Sequence, residues 1–178
     1  VSALVVVFAS RTLGLPAGAI GLALGLGAAG GLAGALLAGR VAGWLGTGRT
    51  IAVGAVVFTA PLAVLPLASG TPLARATVLA GVEAISAFGV MLFDVNLNAV
   101  MAAVIPDDLR GRVMGAFTSI NYGVRPVGAA LGGLLAGWLG AGAAIAVGGA
   151  GGSLAVLWLV RTAVLQIRSV DDLGPPVA

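Results

Sequence analysis

The sequence of 178 residues contains no cysteine, no histidine and no lysine. Without cysteine there is neither a disulfide framework nor a thiol nucleophile. Without histidine a Ser-His-Asp arrangement and the usual zinc sites cannot be assembled, and no metal site or cofactor is predicted. Without lysine the chain lacks the phosphate-binding loop of an ATP-driven pump. Charge is scarce too: 8% of residues are charged and 60% hydrophobic, where a soluble domain carries roughly a quarter charged residues. The nine basic residues are all arginines, scattered along the chain, and with six acids they leave a net charge of +3. No basic patch exists that would bind nucleic acid.

What is present is glycine, 30 residues of it, set among alanine, leucine and valine, the composition of closely packed membrane helices. A hydrocarbon core about 30 Å thick needs roughly 20 apolar residues of helix. Five stretches meet that length, at 17–39, 50–69, 76–105, 113–139 and 143–165, and residues 1–10 read as the second half of a further span. The start at Val1, with only ten apolar residues before Arg11, marks the sequence as an expected fragment. Turn signals separate the spans: Leu13-Gly14-Leu15-Pro16, Gly46-Thr47-Gly48-Arg49, Ser69-Gly70-Thr71-Pro72 and the polar loop 106–112. Residues 166–178, ending in Gly174-Pro175-Pro176, are predicted to be a disordered tail. The fold class is therefore an all-α, polytopic membrane protein.

If the 106–112 loop is cytoplasmic, so are the 40–49 loop and the C-terminus, which together hold Arg40, Arg49, Arg110, Arg112, Arg161 and Arg168. Only Arg11 and Arg75 fall on the other side. That asymmetry follows the positive-inside rule and predicts a multi-pass protein of the cell membrane with a cytoplasmic C-terminus.

Glycines four apart let helix backbones approach closely. Gly21 and Gly25, Gly27 and Gly31, and Gly30 and Gly34 form such pairs in the second span, and Gly128 and Gly132, and Gly133 and Gly137, in the fourth full one. Gly25-Leu26-Gly27-Ala28-Ala29-Gly30 matches a dinucleotide fingerprint only in letters, because it lies within a span rather than after a strand.

Polar groups inside spans are the functional candidates, since an ionised group at the centre of a span costs about 2.5–3.5 kcal/mol on insertion scales. They are Glu83, Asp94, Asn96, Asn98, Asn121 and Arg125. Counted from the 106–112 loop at 1.5 Å per residue, Asp94 lies about 18 Å and Arg125 about 20 Å deep, while Glu83, about 35 Å away, falls at the outer rim. Glu83 reads either as an interfacial acid or as a proton or cation access point. Asp94 and Asn98 share a helix face, as do Asn121 and Arg125. The asparagines read equally as helix-to-helix hydrogen bonds and as substrate contacts. Asp107, Asp108, Arg110, Gly111 and Arg112 read as a solvated cluster that sets topology or, more sharply, as a cytoplasmic gate latch. Opposite signs at similar depth predict an ion pair between Asp94 and Arg125, whereas an unpaired Asp94 facing a cavity would carry a proton across the cycle.

The run Pro106-Asp107-Asp108-Leu109-Arg110-Gly111-Arg112-Val113-Met114-Gly115, followed by Gly123, Pro126, Gly128 and Gly132-Gly133, resembles the loop and helix joining spans ten and eleven of the major facilitator superfamily. With Asn96-Leu97-Asn98 upstream, it is most similar to the multidrug, macrolide and siderophore exporter branch. The spans match helices seven to twelve, so the resemblance covers essentially the whole chain. It implies the C-terminal six-helix half of a rocking-bundle transporter, its first helix truncated, whose partner is the N-terminal six-helix half and whose midplane site opens alternately to each side. Spans seven to nine and ten to twelve would form an inverted repeat, although no convincing identity is read between them. The chain departs from the superfamily's Gly-x-x-x-Asp-Arg-x-Gly-Arg motif, with Gly43 and Trp44 in place of the acid and the arginine after it. Met101, Ala102 and Thr118 likewise replace polar residues common among relatives.

Three function classes follow. Proton-coupled efflux of small amphipathic or hydrophobic compounds fits the branch resemblance and the buried titratable groups. Uptake of a small, possibly anionic, solute is the alternative, with Arg125 as the binding group. An intramembrane protease is excluded for the serine type by the absence of histidine, and Leu92-Phe93 before Asp94 does not provide the Gly-x-Gly-Asp of the aspartyl type.

Overall fold

The computed structural model describes residues 2–160 and 162–173. Among these, α-helices follow one another as α1 (Ser2–Arg11), α2 (Ala17–Leu45), α3 (Thr47–Val64), α4 (Pro72–Val104), α5 (Asp107–Leu139) and α6 (Ala141–Val160), with short 3-10 turns at Leu65–Leu67, Ala163–Gln166 and Val170–Leu173. There is no strand among the described residues. Arg161 and the Gly174-Pro175-Pro176 end of the expected tail lie outside them.

The helices start and stop for local reasons. α4 begins where Thr71 Oγ1 accepts the Ala74 amide at 3.2 Å and Pro72 occupies the first turn, a side-chain cap followed by a residue that has no amide to satisfy. α2 and α3 are separated by Gly46 alone, at φ +88°, and α5 and α6 by Gly140 alone, at φ +85°. A single left-handed residue reverses the chain there, which favours glycine.

These two joints are copies of one another. Ala42-Gly43-Trp44-Leu45-Gly46-Thr47-Gly48-Arg49-Thr50-Ile51-Ala52-Val53-Gly54 and residues 136–148 are identical at ten of thirteen positions, 94 residues apart. Ile51 and Ile145, equivalent in the two copies, are 1% and 2% exposed, and Trp44 and Trp138 are 84% and 83% exposed. The repeat expected between the two three-helix units is thus visible in sequence after all. It is confined to the joints, so a comparison of whole spans does not reveal it.

α4 is the centre of the packing, with α2 on one flank and α3 on the other, and α6 closes on α3. A Cβ at Gly34 would stand 2.6 Å from the Phe88 carbonyl oxygen, and one at Gly54 2.7 Å from the Phe93 nitrogen, so glycine is what permits both crossings. Gly30 faces the Ala84 backbone in the same way, which gives the false dinucleotide motif its packing role. On α3 and α6, Thr59 Oγ1 and Ser153 Oγ lie 2.9 Å apart, and each also bonds the carbonyl four residues before it. Apolar residues of α1, α2, α3, α4 and α6 converge in a cluster that includes Val5, Phe8, Ile20, Leu62, Leu79 and Ile145. Arg75 seals that end by donating to the Leu13 carbonyl at 3.0 Å.

Of the five predicted spans, four lie in helices long and apolar enough to cross a membrane, namely Ala17–Leu45, Thr47–Leu67, Pro72–Val104 and Ala141–Leu159. The fifth, 113–139, lies in α5, which has the length, 33 residues, and carries Asn121 and Arg125 within the span; none of its residues is buried. Two expectations are corrected. The 106–112 segment is not a loop: the break is Ile105-Pro106, and Asp107 already lies in the first turn of α5. Acids there complement the positive end of the helix. Finally, the described part of the segment expected to be disordered is a strap across the start of α3. The Thr47 amide donates to Arg168 O and the Gly48 amide to Ile167 O, both at 3.0 Å. Two otherwise unsatisfied amides of the helix N-terminus recruit the strap.

Candidate functional site

Glu83, Asp94 and Asn98 fall on one stripe of α4. Glu83 and Asp94 are eleven residues apart, three helical turns to within about 20°, and roughly 16 Å apart along the axis. Both are half-buried. The stripe lies between the residues that face α2, such as Ala84, Phe88 and Met91, and those that face α3, such as Gly89 and Phe93. With 33 residues, α4 is about 50 Å long, much longer than a hydrocarbon core. Taken from the helix midpoint near Phe88, Glu83 lies about 8 Å to one side and Asp94 about 9 Å to the other. Both acids thus lie near the middle of α4 and not in its end turns.

Glu83 lines a cavity of about 150 Å³ with Val5, Phe58, Leu62, Ser86, Ala87 and Val90, drawn from α1, α3 and α4. Its Cβ also lies against Gly27 of α2, 3.2 Å from where a Cβ would stand there. Ser86 is 6% exposed, and its hydroxyl has no hydrogen-bond partner. An orphaned buried hydroxyl costs about 1–3 kcal/mol, so an apolar cavity holding one beside a carboxylate is a site built to receive a polar group. The sequence reading passed over Ser86. The signal was its position three residues after Glu83 in an otherwise apolar helix.

Asn96 and Asn98 bond within α4 and, among the described residues, do not bridge helices. Asn96 Nδ2 donates to Leu92 O at 2.8 Å and Asn98 Nδ2 to Asp94 O at 2.7 Å, each within α4. Asn96 is buried and Asn98 exposed, which leaves the carbonyl end of Asn98 beside Asp94 open.

Asn121 and Arg125 are exposed on α5. Carried back along the two continuous helices, the register of the repeat makes Asn121 the counterpart of Gly27 and Arg125 that of Gly31. Those glycines touch Glu83 and Ala87 of α4, so α5 carries Asn121 and Arg125 at the positions where α2 presents glycine to α4. Arg125 lies close enough for its charge to act on Asp94. The expected ion pair does not form: among the described residues the one contact between opposite charges within 4.0 Å is Arg110 with Asp107. The Arg125 guanidinium instead stands 4.3 Å over the Tyr122 ring, a cation–π contact one turn away on its own helix.

Arg110 joins two helix ends. Its Nη2 lies 2.8 Å from Asp107 Oδ1 and donates to Ala102 O at 2.9 Å, tying the last turn of α4 to the first of α5. Asp108 and Arg112 are exposed beside it, and Gly111 has open space around its Cα. The cluster is a staple across one kink, reaching no other element among the described residues.

The model of the family described as Major Facilitator Superfamily matches residues 1–172. The chain belongs to the major facilitator superfamily. It is accordingly a membrane-embedded transporter protein, and its six helices correspond to half of the superfamily's fold. No curated protein and no solved structure matches the chain.

Proposed function

We propose that the chain is the C-terminal half of a proton-coupled exporter of small amphipathic or hydrophobic compounds, working by alternating access in the cell membrane with its C-terminus in the cytoplasm. The Pro106-to-Gly115 run and Asn96-Leu97-Asn98 favour the multidrug, macrolide and siderophore branch. The N-terminal six-helix half is the partner that completes the site. The observation that carries the reading is the cavity in which Glu83 and the unpartnered Ser86 hydroxyl face apolar walls. A carboxylate there is costly while charged, and taking up a proton relieves that cost. Asp94, on the same stripe three turns away, gives the proton a second station toward the cytoplasmic end. Asn98, Asn121 and Arg125 flank that station and contact the substrate.

The test is proton-driven transport by the whole transporter in vesicles. Glu83→Gln should abolish uphill transport and retain downhill exchange, with Asp94→Asn giving the same pattern more weakly. Undiminished uphill transport in both variants places coupling in the other half. One observation favours a second reading, uptake of an anionic solute: Arg125 has no carboxylate within 4.0 Å among the described residues. Cells that accumulate an anionic nutrient through Arg125, rather than exclude a dye, would establish it.

A further inference from the structure

The repeated joints share their backbone and differ in charge. At the α2–α3 joint, the positions held by Ala141, Ala143 and Ala144 in the other copy are Thr47, Arg49 and Thr50. The strap then brings Arg168 to the same place from more than a hundred residues along the chain. Gly43, Trp44, Leu45, Gly46, Arg49 and Arg168 together line a cavity of about 280 Å³. Neither arginine has a carboxylate within 4.0 Å among the described residues. Asp172 of the strap uses Oδ2 to accept the Ser169 amide within its own turn. The first amides of α3 are likewise committed, to the strap carbonyls. Among the described side chains, the charges that line the cavity are thus two guanidinium groups.

We propose that this cavity binds the phosphate of an anionic phospholipid headgroup, with Arg49 and Arg168 as its two cations. Guanidinium is suited to the geometry of phosphate oxygens, and both arginines are exposed at the end of a helix pair long enough to reach the membrane surface. Trp44, 84% exposed at the rim, is the residue type that settles at headgroup level. Below it, Leu36 and Leu37 are exposed on the outside of α2, where acyl chains would lie. Trp138 stands at the other joint, at the opposite end of the bundle, where Ala143 replaces Arg49 and no strap arrives among the described residues. That joint should be indifferent to headgroup charge. The proposal is independent of the direction or coupling of transport.

The test uses two single-tryptophan forms of the protein, reporting from Trp44 or Trp138, in vesicles containing phosphatidylglycerol or phosphatidylcholine with brominated, quenching acyl chains. Trp44 should show a preference for phosphatidylglycerol, up to about five-fold for each arginine, and Trp138 should show none. In Arg49→Gln/Arg168→Gln the preference should vanish while quenching by phosphatidylcholine stays unchanged, which shows the joint still seated. Arg49→Lys/Arg168→Lys should keep most of it. The proposal is overturned if Trp138 shows the same preference, if the preference survives the double glutamine variant, or if Arg40→Gln, outside the cavity, lowers it as much as Arg49→Gln. It is also overturned if millimolar inorganic phosphate erases the preference, because the ligand is then the free anion.

Discussion

Two copies of one thirteen-residue motif turn the chain through the same left-handed glycine, yet the helices leading into them meet opposite fates. α2 lays Gly27, Gly30, Gly31 and Gly34 along α4 and brings the backbones into contact. α5 has the same joint and comparable small residues, but it buries nothing, and most of its glycines face open space. Spacing of small residues therefore permits close approach without causing it. What distinguishes the helices is the face opposite the partner: glycine at positions 27 and 31 of α2, asparagine and arginine at the matching positions of α5. Within this chain, one helix is shaped for packing on α4, and the other carries polar groups at the matching positions.

The strongest way to break this comparison is to add the same bulk to both copies. Gly34 and Gly128 are equivalent in the repeat. A Cβ at Gly34 would stand 2.6 Å from Phe88 O and 3.0 Å from Met91 Cβ, whereas one at Gly128 meets nothing within 4 Å. Gly34→Leu should lose about 3 kcal/mol, the upper end of overpacking effects, and leave little folded protein. Gly128→Leu should cost less than about 1 kcal/mol. Monodisperse yield and thermal unfolding measure both. Equal losses would show that α5 packs as tightly as α2.

A second pair probes the joints themselves. A Cβ at Gly48 would collide with the Val164 carbonyl of the strap, while one at Gly142 would stand 3.1 Å from Phe8 Cε2, the far end of a side chain that can turn aside. Gly48→Val should release the strap at a cost of about 1–3 kcal/mol and expose residues 162–173 to proteolysis. Gly142→Val should do neither, and a strap left protected in Gly48→Val would mean that it is held by contacts other than those with the start of α3.

The sequence disclosed the helical class, the long helices that hold the expected spans and the polar residues of α4, because hydropathy and charge act over whole helices. It did not disclose which glycines meet which helix. Gly30–Gly34 and Gly21–Gly25 have the same spacing, but only the first pair touches α4, and Gly54 and Gly89 cross without any spaced partner. The cavity around Glu83 was equally hidden, since its walls come from three helices. The strap was misread because its residues look polar and turn-rich; its order comes from amides at the start of α3, distant in sequence.

Arg110 gives a smaller effect. It ties the end of α4 to the start of α5 through Ala102 O and Asp107, but the pair is well exposed. Arg110→Ala should cost about 1 kcal/mol, with Arg112→Ala, which has no such contacts, near zero. Thermal unfolding at low and high salt separates the two, because the Arg110 contribution should shrink as exposed charges are screened. Equal effects would reduce the staple to general surface charge.

The smallest expected effect concerns Asp94 and Arg125, and it decides whether the polar face of α5 is coupled to the stripe of α4. Arg125 acts on Asp94 through space but is not within 4.0 Å of it, and its guanidinium lies over Tyr122. A closed pair shielded from water would couple strongly, with removal of one partner costing about 3–5 kcal/mol. A pair held apart and exposed on one side should couple by less than about 1 kcal/mol. Asp94→Asn and Arg125→Gln should then have effects on stability that nearly add in the double variant. Tyr122→Leu should release the guanidinium from its ring, and if the ring is what holds the charges apart, coupling should rise when the cycle is repeated in that background. A coupling of 2 kcal/mol or more in the parent protein would mean that the pair closes, and that α5 leans on α4 as α2 does. No change on removal of Tyr122 would assign the separation to the helices rather than to the ring.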